Sequence, residues 1–351
     1  AHPEQVLALF PGAIPTGLQH GTVTVRGQAR HQLAEVTTFR AEEAYSDHRR
    51  PDQVSYLSNV EGDLSRRDFT MNAIALAKDG SLIDPFHGQR DIQQRCIRCV
   101  GQPDARFQED ALRMFRALRF SATLGFSIEA ETLSAIHRHA SLATFLAAER
   151  IRNEIEKVLC SSQPQQLSRF FCTGLLDRFL ILSSPLLTLS ALAQLPRESL
   201  PRWAGLCTLL TEAGCIASAE SFLTALRLDR ATIRACTDGL AVQSSTRLDS
   251  VLACKRLIVS NGQHAAICAA AACAVHGDMT PFSLLNQILE SDDCLSLKTL
   301  AVTGRDLMAL GLRGREIGVA LAWLLDYVLE FPKENTREHL LMLVQAQQKE
   351  D

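Results

Sequence analysis

The sequence predicts a mixed α/β head followed by an all-helical remainder. Residues 1 to about 100 mix short alternating runs with turn signals. From Pro103 onward the apolar residues recur at helical spacing, and beyond Cys160 the chain is rich in Ala and Leu with only brief breaks. At 351 residues it exceeds one ordinary domain of roughly 150.

The elements follow in order. His2 to Phe10 reads as the opening of an amphipathic helix, and residues 22–25 and 33–38 read as paired strands around a polar turn containing Gly27, Gln28 and Ala29. Arg40 to Val54 is polar and reads as an exposed loop. Leu82-Ile83 and Ile97-Arg98-Cys99-Val100 are short extended pieces. Pro103-Asp104 starts a helix whose stripe of Leu112, Phe115, Leu118 and Ala122 continues to a stop at Gly125. Residues 147–159 form another helix, charged on one side. Later breaks fall at Ser183-Ser184-Pro185, Leu195-Pro196, Gly214 and Asn261-Gly262, which suits packed helical pairs. Thr303 to Gly318 fits two short helices joined by a glycine turn.

Composition narrows the function classes. A hydrophobic share of 46% with 21% charged residues describes a globular protein. No apolar run approaches the ~18 residues of a membrane span and no signal-peptide pattern opens the sequence, so a cytoplasmic location and no membrane partner are expected. A net charge of −3 excludes a generally basic surface. Contact with RNA would use a local patch, best sought between Arg95 and Arg119, where six arginines face three acids. The eleven cysteines are odd in number, scattered and set in apolar sequence, so they read as reduced core residues. Cys96 and Cys99 have metal-ligand spacing, but no second pair completes a zinc site.

Chemistry concentrates in two stretches, Asp63-Leu-Ser-Arg-Arg-Asp-Phe-Thr-Met-Asn72 and Glu109-Asp-Ala-Leu-Arg-Met-Phe-Arg-Ala-Leu-Arg119. In the second, Asp110 only accepts hydrogen bonds and Arg113 only donates. Cytosine and adenine each present an amino donor beside a ring-nitrogen acceptor, which matches that pair. Uracil and guanine would leave buried groups unpaired, a mismatch able to reject a ligand by ~10⁴. Glu109, four residues before Arg113, can hold its guanidinium.

These stretches, with His20-Gly-Thr-Val23, Glu35-Val-Thr-Thr-Phe-Arg40, Asp47-His-Arg-Arg-Pro51 and Asp84-Pro-Phe-His-Gly88, appear in an order that resembles the class II tRNA nucleotidyltransferases, the bacterial CCA-adding enzymes, and their relatives the bacterial poly(A) polymerases. The resemblance implies a partial nucleotidyltransferase palm as an α/β head (1–102), a neck with the nucleotide-reading helix (103–160), a helical body (161–245) and a helical, tRNA-binding tail (246–351). It implies template-independent addition of CCA to the tRNA 3′ end from CTP and ATP with Mg²⁺, releasing pyrophosphate.

Residue by residue, the resemblance assigns Arg67 to phosphate or base, Asp68 to the ribose hydroxyls and Asn72 to orienting its neighbours. It assigns Arg116 and Arg119 to nucleotide phosphate or site organisation, against the alternative of pairing with core acids. Glu149, Arg150 and Glu154 support the reading helix. Glu35 is the implied third metal carboxylate and catalytic group, or else a strand-surface glutamate. The length of the 40–54 loop, not shortened as in CC-adding relatives, favours full C, C, A addition over C-only addition, against the alternative of an ordinary exposed loop. The Gly-Gly and Asp-x-Asp motifs of the family, the latter holding its metals, are not in this sequence, which starts at Ala1. A fragment with little or no transfer activity is therefore expected. A poly(A) polymerase and a non-catalytic tRNA-binding module are the competing expectations.

Overall fold

The computed structural model describes residues 1–18, 21–27, 32–43, 53–183, 185–243 and 247–350. Two compact units form, one from residues 1–158, 166–178 and 183–186, the other from 159–165, 179–182 and 187–351.

In the first unit, helix α1 (Pro3–Leu9) buries Val6 against Val23 and Val25. Strands β1 (Ile14–Gly17), β2 (Thr22–Arg26) and β3 (Leu33–Thr37) form an antiparallel sheet in that order. The expected pairing is present, with Val23 opposite Val36 and Thr24 opposite Glu35. The Gly27 N–H closes this hairpin by donating to the Gln32 carbonyl at 2.8 Å. Gln28 and Ala29 of the expected turn, and His20, lie outside the described residues.

The Arg40–Val54 loop needs correction, because its ends pair as β4 (Arg40–Glu43) and β5 (Gln53–Tyr56). Ladder hydrogen bonds satisfy backbone groups that an exposed loop would leave to water. Asp47-His-Arg-Arg-Pro51 lies outside the described residues.

Helix α2 (Val60–Ser65) starts where Asn59 Oδ1 accepts from the Gly62 N–H at 2.8 Å. Strands β6 (Ala75–Leu76) and β7 (Leu82–Ile83) pair, then α3 (Gly88–Gln93) begins. Asp84 accepts from the Gly88 and Gln89 N–H groups at 2.6 and 2.9 Å, which caps α3. Gly88 is required here, since a Cβ would sit 2.1 Å from the Thr70 carbonyl oxygen. Asp91 then accepts from the Thr70 hydroxyl at 2.6 Å. The Asp84-Pro-Phe-His-Gly88 motif thus seats the 3₁₀ turn Thr70–Asn72. Strand β8 (Cys96–Ile97) runs parallel to β9 (Ser127–Ile128).

The helix expected from Pro103 to Gly125 is two helices, α4 (Pro103–Glu109) and α5 (Leu112–Leu124). Asp110 lies between them in extended backbone, with φ −139° and ψ 102°. Its Oδ1 accepts from the Leu112 N–H at 3.0 Å, an aspartate side chain offering the backbone an alternative to the helical bond. Helices α6 (Ala130–His139), α7 (Ala148–Leu159) and α8 (Ser168–Cys172) follow.

The second unit is helical: α9 (Ser199–Glu212), α10 (Ala219–Ala225), α11 (Arg230–Gln243), α12 (Val251–Asn261), α13 (Gln263–Ala274), α14 (Thr280–Glu290), α15 (Gly304–Ala309), α16 (Arg315–Glu330) and α17 (Arg337–Glu350). Helix α13 is buried nearly all round against α9, α11, α12 and α14. Gly239 of α11 permits this, because a Cβ would lie 2.5 Å from the Ala265 carbonyl oxygen. The expected pair of short helices at residues 303–318 is corrected to a short α15 and a sixteen-residue α16. Leu324, Leu325 and Val328 of α16 bury against Leu340 and Val344 of α17, which sustains the longer helix.

Candidate functional site

The motif residues of the first unit converge on one open cavity of about 830 Å³. The strand side presents Glu35 and Thr37 with Phe39, three alternate residues. The helix side presents Asp110, Arg113 and Arg116, with Arg150 from α7. Between them lie Asp63, Arg66, Arg67, Asp68 and Asn72. With Arg40, six arginines face four carboxylates, an excess that suits a polyanion.

Asp63, buried at 4% exposure, organises the middle. It accepts from Arg66 Nη2 at 2.6 Å, from Arg67 Nη2 at 3.4 Å and from the Arg40 N–H at 3.3 Å. Asp68 is buried too. Its Oδ1 accepts from the Phe69 N–H at 2.9 Å and Asn72 Nδ2 at 3.0 Å, and its Oδ2 accepts from Arg116 Nε at 2.6 Å. Of roughly four acceptor positions on a carboxylate, one on Oδ2 is left among the described residues.

The same inventory at Asp110 and Arg113 decides what they can bind. Asp110 Oδ1 accepts from the Leu112 N–H and from Arg150 Nη1 at 3.4 Å, while Oδ2 accepts from Arg150 Nη2 at 3.0 Å. One Oδ2 position remains among the described residues. Arg113 is 7% exposed. Its Nη1 donates to Glu109 Oε2 at 2.6 Å and to the Arg106 carbonyl at 3.3 Å, and its Nη2 donates to the Arg66 carbonyl at 2.7 Å. Of a guanidinium's five N–H groups, Nε–H and one on Nη2 remain. The pair offers one acceptor and two donors from a rigidly held frame.

Not every expected residue joins. Arg119 does not line the cavity; its Nε donates to the buried Glu154, and its guanidinium sits 3.8 Å from the Phe120 ring centroid. The core-acid alternative describes Arg119, and Lys157 shares Glu154 at 2.9 Å. Glu149 is exposed in the first turn of α7, away from the cavity lining, where a negative charge suits the helix dipole. The arginine-rich patch also needs correction: Arg98, Arg106, Arg113, Arg116 and Arg119 all pair with acids, so little of it is free charge for RNA.

Sequence reasoning gave no role to Asp63, Arg66, Phe39 or Phe120. The spacing of Asp63 to Arg66 and Arg67, three and four residues on, was the available signal for the first two.

The described residues form no cluster of three metal-ligating side chains. Glu35 is one exposed carboxylate on β3, and Asp63, Asp68 and Asp110 are committed to arginines. These residues do not by themselves make a divalent-metal site. Burial pushes the Cys99 thiol up to about 12, which keeps it protonated as a core thiol, and no third ligand joins Cys96 and Cys99 among the described residues. None of the eleven cysteines is in a disulfide. No helix among the described residues is long and apolar enough to cross a membrane.

Comparison with known proteins divides the chain into three. Residues 1–98 match the family model of the poly A polymerase head domain, residues 125–187 that of the probable RNA and SrmB-binding site of polymerase A, and residues 197–344 that of a putative tRNA nucleotidyltransferase domain 2. The chain is 39% identical to a CCA-adding enzyme of Geobacillus sp. (strain WCH70), over 88% of this chain and 76% of the relative. It is 37% identical to a CCA-adding enzyme of Levilactobacillus brevis, over 92% of this chain and 81% of the relative. Its fold matches the crystal structure of the Bacillus stearothermophilus CCA-adding enzyme in complex with CTP, with a TM-score of 0.78 and 29% identity over all of this chain and 88% of that one.

Proposed function

The chain belongs to the family of CCA-adding enzymes, and from that premise we propose that it builds or repairs the 3′ end of tRNA by adding C, C and A without a nucleic-acid template. CTP and ATP are the substrates, pyrophosphate leaves, and the reaction belongs to the cytoplasm. The observation that carries this reading is the residual hydrogen-bonding capacity of Asp110 and Arg113, one acceptor and two donors in the lining of the same cavity. Cytosine presents an amino donor followed by two acceptors. Adenine presents an amino donor and the N1 acceptor, using the same acceptor and one of the two donors. Uracil and guanine reverse the first two positions and would strand buried groups.

The other roles follow from exposure and remaining capacity. Arg67 is the most open arginine of the motif at 45% side-chain exposure and, with the Nη groups of Arg116, suits the triphosphate. The open Oδ2 position of Asp68 suits a ribose hydroxyl, a direct way to prefer ribonucleotides. Arg150 holds Asp110 and so positions the reading carboxylate. Glu35 faces the attacking 3′-hydroxyl from the strand side. Mg²⁺ is the ion we expect the reaction to require, and Glu35 supplies only one carboxylate toward it.

The test is incorporation of labelled CMP and AMP by the full-length gene product onto tRNA lacking CCA. Addition of both, stopping after A, supports the proposal. Addition of AMP alone to any RNA identifies a poly(A) polymerase, and tRNA binding without transfer identifies a binding module.

A further inference from the structure

An enzyme that adds three nucleotides in succession must accept three different RNA ends: the unextended terminus, then C, then C again. A contact that read hydrogen bonds on that terminal base would fail at one of the steps. A featureless π surface would serve at all of them, because every base has a face to stack.

The cavity contains such a surface. Phe39 lines it and is 40% exposed, and among the described residues it makes no ring contact. Its neighbours in the cavity are mainly charged and polar, so the open part of the ring faces a polar space and not an apolar core. The backbone that carries it is fixed on both sides: before it the Thr38 N–H donates to the Gly21 carbonyl at 3.0 Å, and after it the Phe39 carbonyl accepts from the Leu57 N–H at 2.8 Å. The ring is therefore presented, not loosely tethered. Phe120, the other ring in the cavity, is already engaged by Phe69 and by the guanidinium groups of Arg116 and Arg119.

Position decides between the incoming base and the RNA. Asp110 and Arg113 read the incoming base from the helix side. Phe39 shares the strand side with Glu35, four residues away and so about 13 Å along extended chain. Since Glu35 faces the attacking hydroxyl, the ring belongs with the strand that carries it. We infer that Phe39 is the stacking platform for the 3′-terminal base of the RNA acceptor, a sequence-tolerant RNA-binding residue. This rests on the proposed transfer reaction and on the placement of Glu35 by the attacking oxygen.

The experiment compares the full-length gene product with Phe39→Leu and Phe39→Trp, using RNAs that end before CCA, after C and after CC. The leucine variant should raise KM for RNA roughly tenfold at each of the three ends. KM for CTP and the CTP preference over UTP should stay unchanged, and tryptophan should restore RNA binding. An RNA ending in 2-aminopurine should lose fluorescence on binding the wild type and the tryptophan variant but not the leucine variant. A rise in KM for CTP or ATP instead, an effect at a single RNA end, or unaltered quenching with leucine overturns the inference. Wild-type protein that transfers no CMP would refute the proposed function, while the quenching readout would still test the ring.

Discussion

Asp110→Asn probes the reading pair with the smallest change of shape. The asparagine can keep its oxygen at Oδ1, where Leu112 N–H and Arg150 donate, because those donors require an acceptor there. An N–H group then replaces Oδ2, the one atom with a position left for ligand. A donor now faces the amino group of cytosine, and the bond to CTP is replaced by two opposed donors. Losing one such bond and leaving a group unsatisfied costs about 1.5–3 kcal/mol, or roughly 10- to 150-fold in kcat/KM for CTP. UTP presents a carbonyl at the same place and gains a partner, so the CTP/UTP ratio should fall by more than the CTP rate. Arg150 loses a partly exposed ion pair, worth about 1 kcal/mol at most. Folding is therefore preserved. Single-turnover incorporation of CMP and UMP onto tRNA lacking CCA measures the ratio. A CTP/UTP ratio equal to that of the wild type would refute the assignment and leave Asp110 as a helix-junction aspartate held by Arg150.

Three further outcomes follow from the structure. Asp68→Ala should lower the preference for CTP over dCTP by about tenfold, the worth of one hydrogen bond to a charged group, read from competing incorporation. Gly239→Ala gains about 1 kcal/mol of helix propensity, but its Cβ meets the Ala265 carbonyl oxygen at 2.5 Å and Cys268 Cβ at 2.6 Å; a net loss is expected, seen as a lower urea midpoint. The hydrogen bond from Arg337, with those from Thr303, holds the Asp306 carboxyl at about 2, below its ordinary 3.8. A depressed acid stabilises the fold fully above its ordinary value and loses that contribution as pH falls toward 2, so Asp306→Asn should flatten the acid side of the stability profile between those limits.

Legibility in the sequence tracked how local each cause is. The paired strands β2 and β3 were readable because alternation of Val23 and Val25 with threonines is a two-residue signal. Asp110 and Arg113 stood out as an acceptor and a donor at close spacing, yet the break at Asp110 was not legible. Phe107 and Ala111 keep apolar helical spacing across it, and only the side chain's turn back to the Leu112 N–H shows why the helix stops. Arg119 shows a second limit. Nothing near it in sequence reveals Glu154, 35 residues later, as the partner that withdraws it from the cavity. The β4–β5 pairing failed for the same reason, since polar residues carry no face preference to declare a ladder. Phe39 was visible as a letter, but its exposure in a polar cavity is a tertiary fact.

Helix α13 has a consequence for how the second unit is assembled. Seven of its eight buried residues are alanines, side chains with no rotamers to lose, so ordering this shaft costs almost nothing beyond the backbone. The return per residue is also small, because a methyl group covers little area. What it provides is contact at backbone distance, as at Gly239. The surrounding helices α9, α11, α12 and α14 can exchange outward-facing residues freely, while the shaft admits almost no enlargement, so sequence drift should collect on the rim and spare the axle.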